Sequence, residues 1–459
     1  MTAPALPRLL PRRDELAELL RLALPVVTVQ VGLMLLGVVD SLMVGRVSPA
    51  ALAAVALGNL HFNVVALFGM GVLLALDPLV SQAVGARDDG AVTHAFQRGL
   101  VLAALLAVPA SLLLLPTEPL LRLFRQPAEL VPLARDYVWL CIPSVLPFLG
   151  FTVLRQTLQA MHLLRPVVLV IVAANVANAG LNRVLIFGLG PVPPLGVAGS
   201  AVATTACRWL MAAGLLAAAW PVLRPHLRPF RRDALAWAPL ARVLRIGLPI
   251  GAQIELELGV FAAIALLMGA FGTPAVAAHQ VAINLASLTF MVPMGIGAAA
   301  TVLVGNAVGR GDGAGVRRAA RAALVAGVAF MAATALAFLS APRALTGLYT
   351  SDAAVLSVAA TLLPIAGVFQ VFDGIQVVSV GILRGVADTR TPFLINVVGF
   401  WLVGFPVSLW LGYRTPLGPA GLWWGLMAGL AMVAGLLVAR IARRVRGGVV
   451  RVEGGRRAS

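Results

Sequence analysis

Apolar residues fill a series of stretches in this chain, each about as long as a helix needs to cross a membrane. A transmembrane helix takes about 20 mostly apolar residues, and twelve stretches meet that requirement. They lie near residues 22 to 44, 51 to 80, 96 to 115, 131 to 153, 165 to 188, 196 to 220, 243 to 268, 275 to 305, 319 to 340, 354 to 383, 392 to 411 and 417 to 440. Transmembrane strands would instead alternate in polarity over about ten residues. We therefore predict an all-α integral membrane protein with twelve transmembrane helices.

The charged residues support this class of protein. Only 12% of the residues are charged, whereas soluble domains contain about 25%. The net charge of +17 could indicate nucleic-acid binding, but the basic residues are all arginines in short connections between apolar stretches. That distribution is typical of membrane topology. We expect the lipid bilayer, and no nucleic acid, as a partner.

The arginines also predict the orientation of the chain. An even number of spans places both termini on one side, and the connections on that side contain 27 of the 35 arginines. Because arginine-rich connections stay in the cytoplasm, we expect cytoplasmic termini and a bacterial plasma (inner) membrane location. Residues 1–22 have no uninterrupted apolar core, so we expect a retained, short amphipathic helix there rather than a cleaved signal peptide.

An internal repeat divides the chain into two halves. At an offset of 224 positions, Leu24-Pro25 matches Leu248-Pro249, and residues 83–88 resemble residues 307–312. We predict six-helix lobes at 22–220 and 243–440, a basic linker at 221–242, and cytoplasmic segments at 1–21 and 441–459. Repeats with an even number of spans share one orientation, a plan found in secondary transporters with the substrate site between the halves.

Polar residues inside the first half are candidates for an ion or substrate site. Asp40 lies within the first span, and a carboxylate there is costly unless it has a function. Asn175, Asn178 and Asn182 share one face of the fifth span, because they are three and four residues apart. These asparagines could line an ion path, or they could only join helices by hydrogen bonds.

The second half contains two glutamates in one predicted span. Gln253 and Glu257 share a helix face, whereas Glu255 points about 200° away from Glu257. We predict that four groups converge inside this half: Glu257, Asp373, Gln280 and Asn284. Two close carboxylates can share one proton or one monovalent cation, and oxygen ligands suit Na⁺. Gln253, Glu255 and Asp77 are additional candidates.

Two prolines are candidate hinges. Pro25 and Pro249 lie early in the first and seventh spans, where each could act as a hinge or simply occupy a first helical turn.

The sequence contains no Walker A motif, no dinucleotide fingerprint and no His-Glu-x-x-His. We therefore predict a protein that is not an enzyme and needs no cofactor, and whose energy comes from an ion gradient or from a partner protein.

The chain resembles the multidrug and toxic compound extrusion (MATE) family, and within it the NorM-like branch. The resemblance covers about residues 15 to 440 and rests on segments 38–45, 247–251, 277–284, 293–297 and 381–385. It implies that Asp40 is the first-helix acid, with Asn178 and Asn182 as companions, and that Glu257 and Asp373 are the acids of the seventh and tenth helices. Phe369 stands where some relatives have Tyr, which leaves a Na⁺ ligand in doubt.

This resemblance implies a multidrug efflux antiporter that contributes to antibiotic resistance. Such a protein exports cationic amphiphilic compounds in exchange for Na⁺ or H⁺ by alternating access between two lobes, and we expect it to be a monomer. The alternative is a flippase for a lipid-linked precursor from the same superfamily, whose cavity would present arginines to a pyrophosphate. Arg183 and Arg208 are the residues that would distinguish the two.

Overall fold

The fold was obtained as a computed structural model, which describes residues 10–446 and residue 451. The described chain contains twelve helices that are long and apolar enough to cross a membrane. We label them in chain order as α1 (Arg13–Val44), α2 (Pro49–Gly85), α3 (Asp89–Leu114), α4 (Leu130–Ala160), α5 (Arg165–Phe187), α6 (Gly196–Ala218), α7 (Trp237–Phe271), α8 (Thr273–Gly309), α9 (Gly313–Ser340), α10 (Ala353–Gly385), α11 (Arg390–Arg414) and α12 (Pro419–Arg446). Each corresponds to one predicted span, so the all-α class and the count of twelve are confirmed.

The helices extend beyond the predicted apolar stretches into polar sequence. α1 begins at Arg13, because nothing between Arg13 and Leu24 interrupts helical hydrogen bonding. The amphipathic helix predicted at the N-terminus is therefore the first part of α1 and not a separate element. The rest of that segment, residues 1–9, and most of the predicted basic tail, 447–450 and 452–459, lie outside the described residues.

Three spans contain local interruptions. α2 is divided into Pro49–Leu73 and Leu76–Gly85, because the ring of Pro78 excludes the carbonyl group four residues earlier. α4 contains a short 3₁₀ turn at Ile142–Ser144, which includes a proline. α11 contains a π-helix at Val397–Gly404, a form that often accompanies functional sites.

The chain separates into two compact units whose boundaries fall inside helices. One unit, called the first unit here, comprises residues 28–80 and 88–252; the second comprises the described chain up to Val27, residues 81–87, and the described chain from Gln253 onward. α1 and α7 therefore each contribute to both units. Pro25 and Pro249 lie inside these helices, two and three residues before the point where the helix changes unit.

Glycines allow close packing within each unit at the repeated helices. In the second unit, a Cβ atom at Gly295 would lie 3.0 Å from the backbone nitrogen of Val27. In the first unit, a Cβ atom at Gly251 would lie 2.8 Å from the backbone oxygen of Phe68. The first part of α1 thus packs on α8, and the first part of α7 packs on α2, which are equivalent pairs in the internal repeat.

The predicted linker at 221–242 is fixed to the first unit. It forms a helix at Trp220–Leu227 and a 3₁₀ turn at Arg232–Leu235. Buried Gln97 of α3 donates through Nε2 to the backbone oxygens of His226 (2.9 Å) and Pro229 (3.1 Å), and its Oε1 accepts from the backbone nitrogen of Arg231 (2.9 Å). The chain leading into α7 is therefore anchored by one amide.

Candidate functional site

Asp40 forms the centre of a polar cluster in the first unit. Its side chain is only 5% exposed. Oδ1 accepts from Nδ2 of Asn178 (2.9 Å) and of Asn182 (2.5 Å), and Oδ2 accepts from Oγ1 of Thr204 (3.0 Å). The predicted helix face on α5 therefore brings two amides to the carboxylate of α1, while α6 supplies a hydroxyl group.

Two amide oxygens in the Asp40 cluster have no hydrogen-bond donor. The Oδ1 atoms of Asn178 and Asn182 are buried and have no hydrogen-bond partner. A buried acceptor without a donor costs about 1–3 kcal/mol. The three donors to Asp40 are all neutral groups, so none of them neutralises its charge. A monovalent cation could satisfy both the carboxylate and the amide oxygens, whereas a proton would neutralise the carboxylate and leave at least one amide oxygen without a donor.

Thr204 was not among the predicted residues, and the described hydrogen bonds of Asn175 lie outside the Asp40 cluster. Thr204 is a hydroxyl inside an apolar span, and its position opposite α5 could not be read from local spacing. Asn175 donates through Nδ2 to the backbone oxygens of Gly32 (3.0 Å) and Ile171 (2.9 Å). The bond to Gly32 joins α5 to α1, which is the structural role left open for the asparagines.

Glu257 of α7 and Asp373 of α10 lie together in the second unit. Oε1 of Glu257 accepts from Nε2 of Gln376 at 2.7 Å, and Gln376 stands three residues after Asp373 on α10. The Glu257 carboxylate is also close enough to act electrostatically on Asp373. We call this group of Glu257, Asp373 and Gln376 the Glu257–Asp373 site. Gln376 was not among the predicted residues.

An aromatic layer covers one side of the Glu257–Asp373 site. Phe261, one turn after Glu257, meets Phe369, one turn before Asp373, edge to face with ring centroids 6.0 Å apart. Because α7 and α10 place these turns in contact, both rings lie on the same side of the two carboxylates. Phe369 also packs against the buried ring of Trp423 at 5.7 Å. This layer makes that side of the site apolar.

The other predicted residues of the second half have different surroundings. Nε2 of Gln280 donates to Oδ1 of Asn284 at 3.1 Å, and both side chains are exposed. This hydrogen bond joins the two amides to each other and not to a carboxylate. Their convergence with Glu257 and Asp373 therefore stays a prediction. Gln253 is buried one turn before Glu257. Glu255 is partly exposed, and its buried Oε1 atom has no hydrogen-bond partner.

Asp77 is buried rather than open to water. It is 2% exposed, and its carboxylate acts electrostatically on the guanidinium group of Arg155 in α4. Arg155 is itself buried and donates through Nη1 to Oε1 of Gln30 at 2.9 Å. The opposite charge near Asp77 favours a structural role for this carboxylate in the first unit.

Arg183 and Arg208, the two arginines that would distinguish a flippase, have aromatic partners. The guanidinium carbon of Arg208 lies 4.0 Å from the ring centroid of Phe62, and Nη1 donates to Oγ of Ser144 at 2.7 Å. The guanidinium carbon of Arg183 lies 5.3 Å from the ring centroid of Phe187, on the same helix. These contacts account for both arginines, so they give no support to a flippase that would use them to bind pyrophosphate.

Comparisons with known proteins agree on one family. The MatE family model matches residues 25–184 and 249–410. The multidrug resistance protein NorM of Burkholderia vietnamiensis is 40% identical over 428 residues, 92% of each chain. The probable multidrug resistance protein NorM of Bradyrhizobium diazoefficiens is 38% identical over 443 residues, 95% of each chain.

Solved structures of similar proteins have the same fold. The crystal structure of the eukaryotic MATE transporter AtDTX14 superimposes with a TM-score of 0.84 and 24% identity, over 95% of this chain and 98% of that one. A mutant of the MATE transporter VcmN from Vibrio cholerae gives a TM-score of 0.85 and 20% identity, again over 95% and 98%.

Proposed function

The chain belongs to the MATE family, within its NorM-like branch, and we propose that it is a secondary active multidrug efflux antiporter. It exports cationic amphiphilic compounds in exchange for Na⁺ or H⁺ by alternating access. Family membership makes it a transport protein rather than an enzyme. The arginine distribution supports a bacterial plasma membrane location with both termini in the cytoplasm.

One observation carries the proposal: each unit contains a carboxylate inside a membrane-spanning helix whose described hydrogen-bond donors are all neutral. Asp40 accepts from two amides and a hydroxyl group, and Glu257 accepts from an amide. Among the described residues, neither carboxylate forms a salt bridge. An uncompensated charge inside a membrane is too costly to serve packing alone, so a mobile cation is the natural partner.

The exchange follows from competition for these negative charges. A coupling ion that neutralises Asp40, or Glu257 together with Asp373, weakens the attraction for a cationic substrate. Antiport requires that ion and substrate bind preferentially to different states or compete for the same groups, since equal affinity for both states shifts no equilibrium. Ions entering from outside therefore promote release of the substrate there.

Pro25 and Pro249 are the hinges in this proposal. Each proline removes one helical hydrogen bond and lies just before its helix passes from one unit to the other. The weakened turn lets each part of α1 and α7 move with its own unit. Gln280 and Asn284, exposed on α8, are available to contact the substrate.

Drug resistance in an efflux-deficient bacterial host tests the function. We expect Asp373→Asn and Glu257→Gln each to abolish most of the resistance that the wild-type protein confers to cationic drugs, at matched membrane abundance. The control is Asp312→Asn, which makes the same chemical change outside the membrane and keeps an N-cap side chain. Unchanged resistance in both site variants would refute an essential role for this pair.

Transport in proteoliposomes then identifies the coupling ion. Uptake or release of a fluorescent cation is measured under a Na⁺ gradient alone and under a pH gradient alone. A response to at least one gradient is expected, and a protein that responds to neither is not an antiporter of this kind.

A further inference from the structure

We propose that a cavity in the second unit, where α9 ends and α10 begins, binds the headgroup of a phospholipid that carries hydrogen-bond donors beside its phosphate. The short helix Pro342–Gly347 joins α9 to α10 at this point. The cavity has a volume of about 450 Å³, within the range of pockets that hold small ligands. Because it follows the ninth span, it faces the outer leaflet in the proposed orientation. The inference goes beyond the proposed function, since it concerns a lipid rather than an exported compound.

Arg343 brings an unpaired positive charge to this cavity. It lines the cavity and is exposed, and among the described residues it forms no salt bridge or hydrogen bond. The short helix Thr117–Leu123 has the equivalent place in the first unit, between the third and fourth spans, and there Arg122 pairs with Glu118 at 2.6 Å. Arg343 is therefore available to an anion from outside the chain. A guanidinium group suits a phosphate, which it can bind through two parallel hydrogen bonds.

Three hydroxyl groups supply the other polar side chains of the cavity, from Ser340, Ser357 and Thr361. Each donates its proton to a backbone oxygen of its own helix. The acceptors are Ala337 for Ser340 (3.3 Å), Ala354 for Ser357 (2.8 Å) and Ser357 for Thr361 (3.3 Å). A hydroxyl group whose proton is used in this way offers only oxygen lone pairs to a ligand. The cavity therefore combines one cationic donor with several neutral acceptors.

This combination of groups selects among phospholipid headgroups. The phosphate of any phospholipid can bind Arg343, but the acceptors beside it need a donor. The ammonium group of ethanolamine and the hydroxyl groups of glycerol provide such donors. Choline has the same phosphate, and its nitrogen carries methyl groups where ethanolamine has N–H groups. The cavity therefore favours phosphatidylethanolamine or phosphatidylglycerol over phosphatidylcholine.

Exposed leucines next to the cavity provide a surface for the acyl chain of the lipid. Leu336 is 67% exposed and Leu339 is 47% exposed. Leu336 stands four residues before Ser340, so the two lie on one face of α9. A lipid whose headgroup occupies the cavity can extend its chain along this face, toward the interior of the membrane. A free phosphate ion would leave this apolar surface uncovered, and a lipid is therefore the occupant that fits.

Photo-crosslinking of the full-length protein in phosphatidylcholine nanodiscs tests this proposal. The probe is a phosphatidylethanolamine with a diazirine on one acyl chain, close to the glycerol, and peptides that carry adducts are quantified by mass spectrometry. We expect adducts within residues 336–361, and we expect unlabelled phosphatidylethanolamine or phosphatidylglycerol, but not additional phosphatidylcholine, to remove them. Arg343→Gln should lower the yield at these residues at least about tenfold, as expected when a charge-assisted hydrogen bond is lost.

Arg414→Gln serves as the matched control, because it removes an exposed arginine at the end of α11 and should leave the yield unchanged. Ser357→Ala combined with Thr361→Val keeps Arg343, and it should let phosphatidylcholine compete as well as phosphatidylethanolamine. The proposal is overturned if Arg343→Gln and Arg414→Gln give equal yields, if phosphatidylcholine removes the adducts of the wild type, or if no adduct forms within residues 336–361. None of these results depends on transport, so each would leave the proposed function standing.

Discussion

Gln97 and Arg321 occupy equivalent positions in the two repeats, and each anchors the start of a helix that belongs to both units. Each stands nine residues after an N-cap aspartate, Asp88 or Asp312. Gln97 binds the chain that leads into α7. Arg321 donates to Oε2 of Glu15 in the first turn of α1 at 2.7 Å. The internal repeat thus conserves the function of a position while its residue type differs.

Replacing Gln97 with leucine will destabilise the first unit. The substitution leaves the backbone nitrogen of Arg231 and the backbone oxygens of His226 and Pro229 without their buried partner. Each hydrogen bond lost contributes about 0.5–1.5 kcal/mol, so the thermal unfolding midpoint in detergent should fall. Gln126→Leu, the same change at a surface amide, should leave the midpoint nearly unchanged. Equal midpoints for both variants would contradict the anchoring role.

Stability should decrease below about pH 6.5 through His226. Burial lowers the pKa of His226 from its ordinary value of 6.5, and Asp89 acts in the opposite direction. The unfolded chain therefore takes up this proton first as the pH falls, and the folded state is penalised. Nδ1 of His226 also contacts Oγ1 of Thr93 at 2.8 Å. The unfolding midpoint of His226→Gln should depend less on pH between about 7 and 5 than that of the wild type.

A methyl group at Gly85 will disturb the contact between α2 and α8 within the second unit. The added Cβ would overlap the backbone oxygen of Asn306, which cannot move independently of its helix. Overpacking of this kind costs about 1–3 kcal/mol. Gly150→Ala, at a helical glycine with open space around it, should be neutral or slightly stabilising. The comparison requires only thermal unfolding curves, and a destabilisation of similar size in both variants would show that the close contact is unimportant.

Thr204→Val should weaken the Asp40 cluster without changing its shape. The valine keeps the volume of threonine but removes the hydroxyl that donates to Oδ2 of Asp40. Hydrogen bonds to charged groups contribute about 1.5–3 kcal/mol, so transport of a fluorescent cation should fall about tenfold or more, whereas Thr204→Ser should retain it. If Thr204→Val transports normally, the hydroxyl is dispensable and the cluster depends on the two asparagines alone.

Much of the fold could be predicted from sequence because the relevant patterns are local. Each span is a continuous apolar stretch, and the cost of exposing backbone groups to lipid makes such a stretch a helix. The pairing of Asn178 with Asn182 on one helix face followed from their spacing of four residues. Glu257 and Asp373 were identifiable because carboxylates are rare inside membrane spans.

The partners of these residues were decided by tertiary packing. Thr204 and Gln376 are ordinary polar residues in apolar spans, and nothing in their local sequence indicates which helix they face. The sequence pattern also does not predict that α1 and α7 are divided between two units, because each helix continues without a break through its proline. The sequence determined that this chain forms twelve helices with carboxylates inside them. Only the packing of one helix against another decided which neutral groups surround each charge, because those contacts join residues far apart along the chain.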